Sequence, residues 1–331
     1  VLDMHGHIVD IAFRGSRHLH ESLGGVTDVP LMQAGGVHAQ LSATWLPDIT
    51  LSGPHNHSVP SPKESLSAIF DYLDQELAGR AAEEVLLART ATDLRHAKRT
   101  GRVAILVGME GTDALQGEPA LLEHFYNRGL RQIGLVHEHA NEFGGASQVW
   151  DAGKMRAFDP SNDPKFHLTP RGRDLLRIMV QLRVLIDLTH MVEPAFWEVL
   201  EEVNGPVLVS HGGARGLNNS NRYLSDEQLQ AIAKTGGVIG ASPTPLGPSN
   251  ERPGLILLLD TIDYLSELIG PEHVGIGTDF KDQFDYYPPP FASSADTQNL
   301  KQALTKRGYS HDEISGICGG NALDLIDRVI T

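Results

Sequence analysis

The sequence predicts an α/β fold, a (β/α)8 barrel of the TIM type, formed by a single domain that covers residues 1–331. Eight short apolar runs rich in β-branched residues recur along the chain, and stretches long enough for helices separate them. No Gly-x-Gly-x-x-Gly turn follows any run, so an open doubly wound sheet is the second choice. The runs are 1–9, 37–45, 103–110, 132–137, 184–190, 206–211, 237–241 and 273–279.

Helix signals and long loops lie between the predicted strands. Thr169 followed by Pro170 is typical of a helix N-terminus, and Ser225 with Gln228 has the spacing of a capping box. A second box, Ser310 with Glu313, lies near the C-terminal end. Three stretches have the composition of loops, namely 47–63, 143–167 and 244–254. Long loops on a barrel are either walls and lids of a substrate site or inert insertions.

The acidic charge of the chain argues against polyanionic partners. With 27 Lys and Arg against 42 Asp and Glu the formal net charge is −15, whereas nucleic acid and anionic membranes require clustered cations. No apolar run approaches the roughly 18 residues of a membrane helix. The single cysteine, Cys318, can form neither an intramolecular disulfide nor a thiolate metal site. No secretory signal precedes His5, so we expect a cytoplasmic protein, with N-terminal processing or trimming left open.

Ionisable residues stand at the ends of most predicted strands, where a buried strand should be apolar. One histidine at a strand end is more often a hydrogen-bonded structural residue than a ligand, but the carboxyl ends of all barrel strands converge on one face. Burying many ionisable groups together is costly without a compensating ion, so the pattern predicts a metal site. Imidazole and carboxylate ligands favour zinc, with manganese, iron and cobalt as alternatives. The residues are His5, His7, Glu110, His137, His190, His211 and Asp279.

These residues stand in segments that resemble the membrane dipeptidase (renal dipeptidase) family of the amidohydrolase superfamily. The similarity extends over nearly the whole chain, and it is the order and spacing of the segments, rather than any single one, that is specific. The segments include GMEG at 108–111, LTP at 168–170, DLTH at 187–190, VSH at 209–211, TGGVIG at 235–240, HVGIGTDF at 273–280, GYS at 308–310 and GGN at 319–321.

The resemblance implies a binuclear zinc site in which a hydroxide bridges the two ions. His5 and His7 would bind one zinc ion, His190 and His211 would bind the other, and Glu110 would bridge both. No lysine lies in the fourth run, so the carbamylated lysine that bridges the metals of related amidohydrolases is not expected.

Three further residues acquire roles from the same resemblance. His137 matches the family histidine that contacts the substrate near the scissile carbonyl, and Asp279 matches the catalytic acid/base. Arg222 matches the arginine that binds the substrate carboxylate, for which a planar fork of donors is well suited. Without the resemblance, Arg222 would be interpreted as a solvated surface residue.

The chain departs from the family pattern at several positions. The family usually has an aspartate where this chain has His7, and an asparagine where it has Gly6. The family has a second acid after the aspartate of the last strand, and this chain has Lys281 at that position. His167 and Arg171 replace the small and aromatic residues that are usual in the family. These changes leave hydrolysis expected but bear on specificity for dipeptides.

Three functions compete at this point. The first is a zinc-dependent, dipeptidase-like hydrolase that cleaves a small dipeptide or related amide with a free carboxylate. The second uses the same machinery on a non-peptide amide or a lactone, for which Arg222 would be dispensable. The third is a catalytically silent barrel that binds metal. A homodimer is expected from the resemblance alone, and no nucleic-acid or membrane-spanning partner is expected.

Overall fold

The computed structural model describes residues 1–45, 61–151, 154–157, 166–245, 254–280 and 287–330. Its central feature is a closed barrel of eight parallel strands with helices between them, as the sequence predicts. The described residues form eleven strands, of which β3 lies outside the closed ring and β6 and β7 form a separate pair. They are β1 (Leu2–Gly6), β2 (Ala39–Trp45), β3 (Val85–Leu87), β4 (Val103–Glu110), β5 (Leu130–Gly134), β6 (Gln148–Asp151), β7 (Lys154–Ala157), β8 (Leu185–Asp187), β9 (Leu208–Gly212), β10 (Val238–Ala241) and β11 (Val274–Ile276).

The barrel closes through the pairing of β4 with β2. Around the barrel the order is β2, β1, β11, β10, β9, β8, β5 and β4, and β4 then pairs in parallel with β2 over seven residues. Each predicted run overlaps one of these strands. Four runs, 1–9, 132–137, 184–190 and 273–279, extend too far, because their strands end at Gly6, Gly134, Asp187 and Ile276. The extra strand β3 pairs with the start of β4, and β5 pairs with β4 from Val107 onward.

The helices begin where the sequence signals place them. The predicted boxes at Ser225 and Ser310 both form, and the side chain of Thr169 accepts a hydrogen bond from the backbone N–H of Gly172. The helices are α1 (Ile8–Arg14), α2 (Val29–Gly35), α3 (Pro62–Leu77), α4 (Ala91–Thr100), α5 (Leu121–Arg128), α6 (Pro170–Leu182), α7 (Glu193–Glu202), α8 (Asp226–Lys234), α9 (Leu255–Ile269), α10 (Thr297–Arg307), α11 (His311–Ser315) and α12 (Asn321–Val329).

The predicted long loops fall largely outside the described residues. Of the stretch 47–63 only the last three residues are described, and of 244–254 only the two ends. The stretch 143–167 contains β6 and β7, which pair as an antiparallel hairpin that the sequence did not predict. In the part of the chain that the structure covers, none of the helices combines the length and the apolar character that a membrane span requires.

Alternate strand residues pack into two separate apolar groups. In β4, Ile105 and Val107 belong to the larger group together with Phe70 of α3. Leu106, between them, belongs to the smaller group together with Leu325 of α12. Both faces of β4 are buried, and the strand is apolar from Val103 to Met109, as is typical of parallel sheets. Its one ionisable residue, Glu110, is the last residue of the strand.

Candidate metal centre and active site

Seven of the eight residues that the sequence singles out lie at the carboxyl end of a barrel strand or within three residues after it, and all eight are at most 8% exposed. His7 is the N-cap of α1, and His137 lies in the loop after β5 rather than on the strand. Arg222 lies in the segment between β9 and α8. The eight residues are His5, His7, Glu110, His137, His190, His211, Arg222 and Asp279.

Six of the eight offer ligand atoms to three overlapping groups, and within each group the atoms lie within 4.8 Å of one another. Glu110 belongs to two of the groups, each of which adds two histidines. A carboxylate with two oxygens can bind a different ion through each. The groups are His5, His7 and Glu110; Glu110, His190 and His211; and His5, His211 and Asp279.

The chemistry of these groups fits divalent cations. Nε2 of His5 is buried and has no hydrogen-bond partner among the described residues, although Glu110 Oε1 lies 3.4 Å away. A buried polar nitrogen without a partner is costly unless a ligand or an ion meets it. Two imidazoles and one carboxylate form the kind of set that catalytic zinc sites use, with a further position left for water or substrate.

Glu110 lies at the centre of the imidazoles. Its Oε1 atom is 3.1 Å from Nε2 of His190 and 3.8 Å from Nε2 of both His137 and His211. Burial opposes the charged carboxylate, but the charges of His137 and His5 and the hydrogen bond with His190 outweigh burial and hold the pKa of Glu110 well below its usual range. Glu110 is therefore ionised at neutral pH, which is the form that binds a cation.

His190 and His211 are neutral in the same surroundings. Burial, followed by the charge of Arg222, lowers the pKa of His190 well below its usual value. Burial, followed by the charges of His5 and Arg222, lowers the pKa of His211 in the same way. A neutral imidazole keeps one nitrogen lone pair, which metal binding requires.

Arg222 is a buried member of the site and not a solvated surface residue. Its side chain donates from Nη2 to Nε2 of His211 at 2.8 Å, and Nη2 lies 3.3 Å from Nε2 of His190. Burial lowers the pKa of Arg222, although a guanidinium stays charged at any physiological pH. The structure thus brings a fixed positive charge against two of the predicted metal ligands.

Two site residues have left-handed backbone conformations. Asp279 has φ of 51° and His190 has φ of 65°, a region that non-glycine residues seldom adopt and that concentrates at functional sites. The N–H of Asp279 donates to the carbonyl of His5 at 3.0 Å, and Asp279 Oδ1 lies 3.2 Å from Nε2 of His7. The turn after β11 therefore directs the carboxylate towards the histidines of β1 and α1.

Two buried carboxylates without a predicted role lie next to the predicted ligands. Asp3 accepts hydrogen bonds from the N–H and the hydroxyl of Thr278 and from Gln40, and burial raises the pKa of Asp3. Asp187 accepts from Nε2 of Gln132 at 2.5 Å and from Thr189. The signal was available, because each acid interrupts an apolar run two or three residues before a histidine.

Of the departures from the family pattern, Gly6 lies within the site, whereas His167 and Arg171 are exposed side chains. At Gly6 a Cβ atom would lie 2.2 Å from Nε2 of Gln40, so this chain has filled that space with Gln40. His167 is exposed and pairs with Glu198, and Arg171 is exposed near Gly117. Lys281 lies outside the described residues.

The chain matches known proteins over nearly its full length. Residues 3–331 match the family model described as membrane dipeptidase (Peptidase family M19). An uncharacterised protein in the pqqA 5′ region of Klebsiella pneumoniae is 32% identical over 260 residues, which cover 77% of this chain and 93% of that protein. Dipeptidase verJ of Clonostachys rogersoniana is 27% identical over 311 residues, which cover 92% and 76% of the two chains.

Solved structures share the fold. A metallopeptidase from Rhodobacter sphaeroides, crystallised with a phosphinate mimic of the dipeptide L-Ala-D-Ala, superposes with a TM-score of 0.85 at 23% identity over 99% of both chains. A dipeptidase described as a family M19 metallopeptidase superposes with a TM-score of 0.84 at 24% identity, covering 100% of this chain and 98% of that one. At these identities the likeness establishes the barrel architecture.

Proposed function

The chain belongs to the membrane dipeptidase (Peptidase family M19) family and is therefore a metal-dependent hydrolase, and we propose that it cleaves the amide bond of a dipeptide, or of a small related amide, that carries a free carboxylate. The observation that carries the proposal is the position of Glu110, shared by two histidine pairs beside a buried arginine and a buried aspartate. The dipeptide mimic bound by the relative from Rhodobacter sphaeroides supports a substrate of this size.

The proposed metal centre holds two divalent ions, zinc by preference. His5 and His7 would bind one ion, His190 and His211 the other, and Glu110 both. When bound, such ions would acidify a water molecule until hydroxide forms near neutral pH and would polarise the scissile carbonyl. The two-ion count, zinc, a homodimer, the single domain and a cytoplasmic location stay predictions of the sequence.

Asp279 is the proposed proton carrier. Its Oδ1 atom lies 3.2 Å from Nε2 of His7 and 3.8 Å from Nε2 of His5, so the carboxylate borders the first proposed metal position. A carboxylate here would take the proton of the attacking water at Oδ1 and return it to the leaving amine, the two duties that amide hydrolysis demands of one group.

His137 and Arg222 are the proposed substrate contacts. His137 Nε2 lies 3.8 Å from Glu110 Oε1, where it can donate to the carbonyl oxygen as negative charge develops. Arg222 donates to the imidazole of His211 in this structure. An imidazole lone pair that binds a cation cannot also accept a hydrogen bond from Arg222, so metal binding would free the guanidinium for a substrate carboxylate.

The first experiment tests the proposed reaction with metal-loaded protein and a dipeptide panel that includes D-residues at the C-terminal position. We expect cleavage, and Arg222→Met should lower kcat/KM for these dipeptides by about a hundredfold, because a buried pairing of charges is lost. The same variant should change kcat/KM for the matching dipeptide amides little. The control is Arg215→Met, which removes an arginine of the same loop that pairs with Glu193.

The same measurements separate the alternatives. The second function would be favoured if a lactone, or an amide without a carboxylate, were cleaved faster than every dipeptide. In that case Arg222→Met should leave kcat/KM for the compound unchanged. Full metal content without turnover of any compound would favour the silent barrel.

A second prediction concerns His7, where the family has an aspartate. His7 Nε2 lies 3.2 Å from Asp279 Oδ1 and 4.0 Å from Glu110 Oε2. His7→Asp should raise metal affinity about tenfold over wild type, because a charged ligand offsets more of the cation's charge. It should also lower the thermal midpoint of the metal-free protein, because three carboxylates then crowd together.

Competitive metal titration and thermal denaturation with and without metal measure both effects. His7→Asn is the matched control, since it has the size of aspartate without the charge. If His7→Asp has the metal affinity of wild type, His7 is not a ligand.

A further inference from the structure

The hydroxyl of Ser210 lies between two histidines, one from each proposed metal pair. Ser210 Oγ is 3.1 Å from Nδ1 of His5 and 3.2 Å from Nδ1 of His211. A third neighbour, Thr189 Oγ1, lies 3.2 Å away, and Ser210 is completely buried. A serine hydroxyl has one proton and two lone pairs. With three neighbours, Ser210 can therefore donate to one of them and accept hydrogen bonds from the other two.

Arg222 determines the form of His211. A guanidinium can only donate, so Nε2 of His211, 2.8 Å from Arg222 Nη2, must accept with its lone pair. The neutral imidazole of His211 then carries its proton on Nδ1, which donates to Ser210 Oγ. One lone pair of Ser210 is thereby used.

Asp187 determines the direction of the remaining bonds. Its Oδ1 atom accepts from the hydroxyl of Thr189 at 2.6 Å and from the backbone N–H groups of Thr189 and Ser210, both at 3.0 Å. The only hydroxyl proton of Thr189 is thus used, and Thr189 Oγ1 must accept from Ser210. The proton of Ser210 is then used as well, and only a lone pair is left for Nδ1 of His5.

We propose that Ser210 is a positioning residue that holds His5 and His211 together in the form with the proton on Nδ1, so that each presents the lone pair of Nε2 to the metal centre. Thr189, itself held by Asp187, accepts the hydroxyl proton of Ser210 and so keeps that proton turned away from the two histidines. The inference rests on the proposed roles of His5 and His211 as ligands. Because one hydroxyl serves a ligand of each pair, its loss weakens both metal positions at once.

The competing arrangement is chemically distinct. If Ser210 donated to Nδ1 of His5, the proton of neutral His5 would lie on Nε2, which could then bind no metal. The contact between Ser210 and Thr189 would also contain no hydrogen. Partners of this kind fix the tautomer of ligand histidines in metal sites generally, and their removal costs about 10- to 100-fold in metal affinity.

The decisive measurement uses metal-free wild-type protein with ¹⁵N-labelled histidine, at a pH where the imidazoles are neutral. Long-range ¹H–¹⁵N spectra distinguish protonated from unprotonated ring nitrogens, and His5→Gln and His211→Gln assign the signals. We expect a protonated Nδ1 and an unprotonated Nε2 in both residues. A proton on Nε2 of His5 overturns the proposal. The result does not depend on turnover, so it is separate from the outcome of the dipeptide panel.

A pair of variants tests the anchor. Thr189→Val keeps the shape but removes the hydroxyl, so the proton of Ser210 turns to Nδ1 of His5, since Nδ1 of His211 already donates. Metal affinity should then fall about 10- to 100-fold at the position that His5 would hold. Thr189→Ser keeps the hydroxyl and should stay within a few-fold of wild type. Competitive chelator titration measures the affinities, and thermal midpoints of the metal-free variants check the fold. Equal affinities of the two variants would contradict the proposal.

Discussion

Glu110→Ala is expected to remove both metal ions together, so that the purified variant contains close to none. Among the described residues Glu110 is the only one in both histidine groups that would hold an ion each, and its carboxylate is held ionised by the imidazoles around it. Without it, each position keeps only neutral ligands, which offset none of the cation's charge. The affinity of both positions should fall by at least about a hundredfold, and hydrolysis should be lost with the metal.

Mass spectrometry of the metal content, with a chelator titration, checks this expectation. His190→Ala is the matched comparison, since His190 belongs to only one of the two groups. This variant should weaken the binding of one ion and leave the binding of the other unchanged. Full metal content in Glu110→Ala would eliminate Glu110 as the shared ligand. Loss of a single ion would mean that Glu110 serves one position only.

Asp279→Asn is expected to lower turnover by about a hundredfold or more while metal remains bound. The amide has the shape of the carboxylate but cannot accept a proton from water. Asparagine also tolerates the left-handed conformation, with φ of 51°, that Asp279 adopts, so the turn after β11 should persist. Alanine would lack both the shape of the carboxylate and the tolerance of the left-handed conformation. Its effect on turnover would therefore combine a change in the turn with the loss of the proton acceptor.

Single-turnover kinetics and metal analysis of the same preparation check the second expectation. Asp113→Asn is the control, because Asp113 is another acid near the barrel mouth that pairs with His139 at 2.8 Å and has no proposed part in the reaction. Near-wild-type turnover by Asp279→Asn would show that another group accepts the proton. His139 would then be the next residue to test.

The sequence was informative about the barrel because each strand has its own local signal. A buried parallel strand is a short apolar run, and eight such runs recur from residues 1–9 to 273–279. The errors of the prediction also have local causes. The strands that the sequence did not predict lie outside the closed ring: β3 pairs with β4, and β6 pairs with β7. In β6 and β7 two of the four residues are polar, so neither strand forms an apolar run. The predicted run 132–137 reached His137 because the apolar residues Leu135 and Val136 follow Gly134, where β5 ends.

The sequence by itself determined the fold class and which ionisable residues gather at one end, since a parallel barrel brings all its strand ends together whatever their order in the chain. Only the tertiary structure decided which of these residues touch. His5 and Ser210 are 205 positions apart in the chain, and His7 and Asp279 are 272 positions apart. Each pair meets because β1 lies beside β11 and near β9. Strand order and stagger fix those distances, and both arise from the pairing of whole strands when the barrel closes, so no local pattern encodes them.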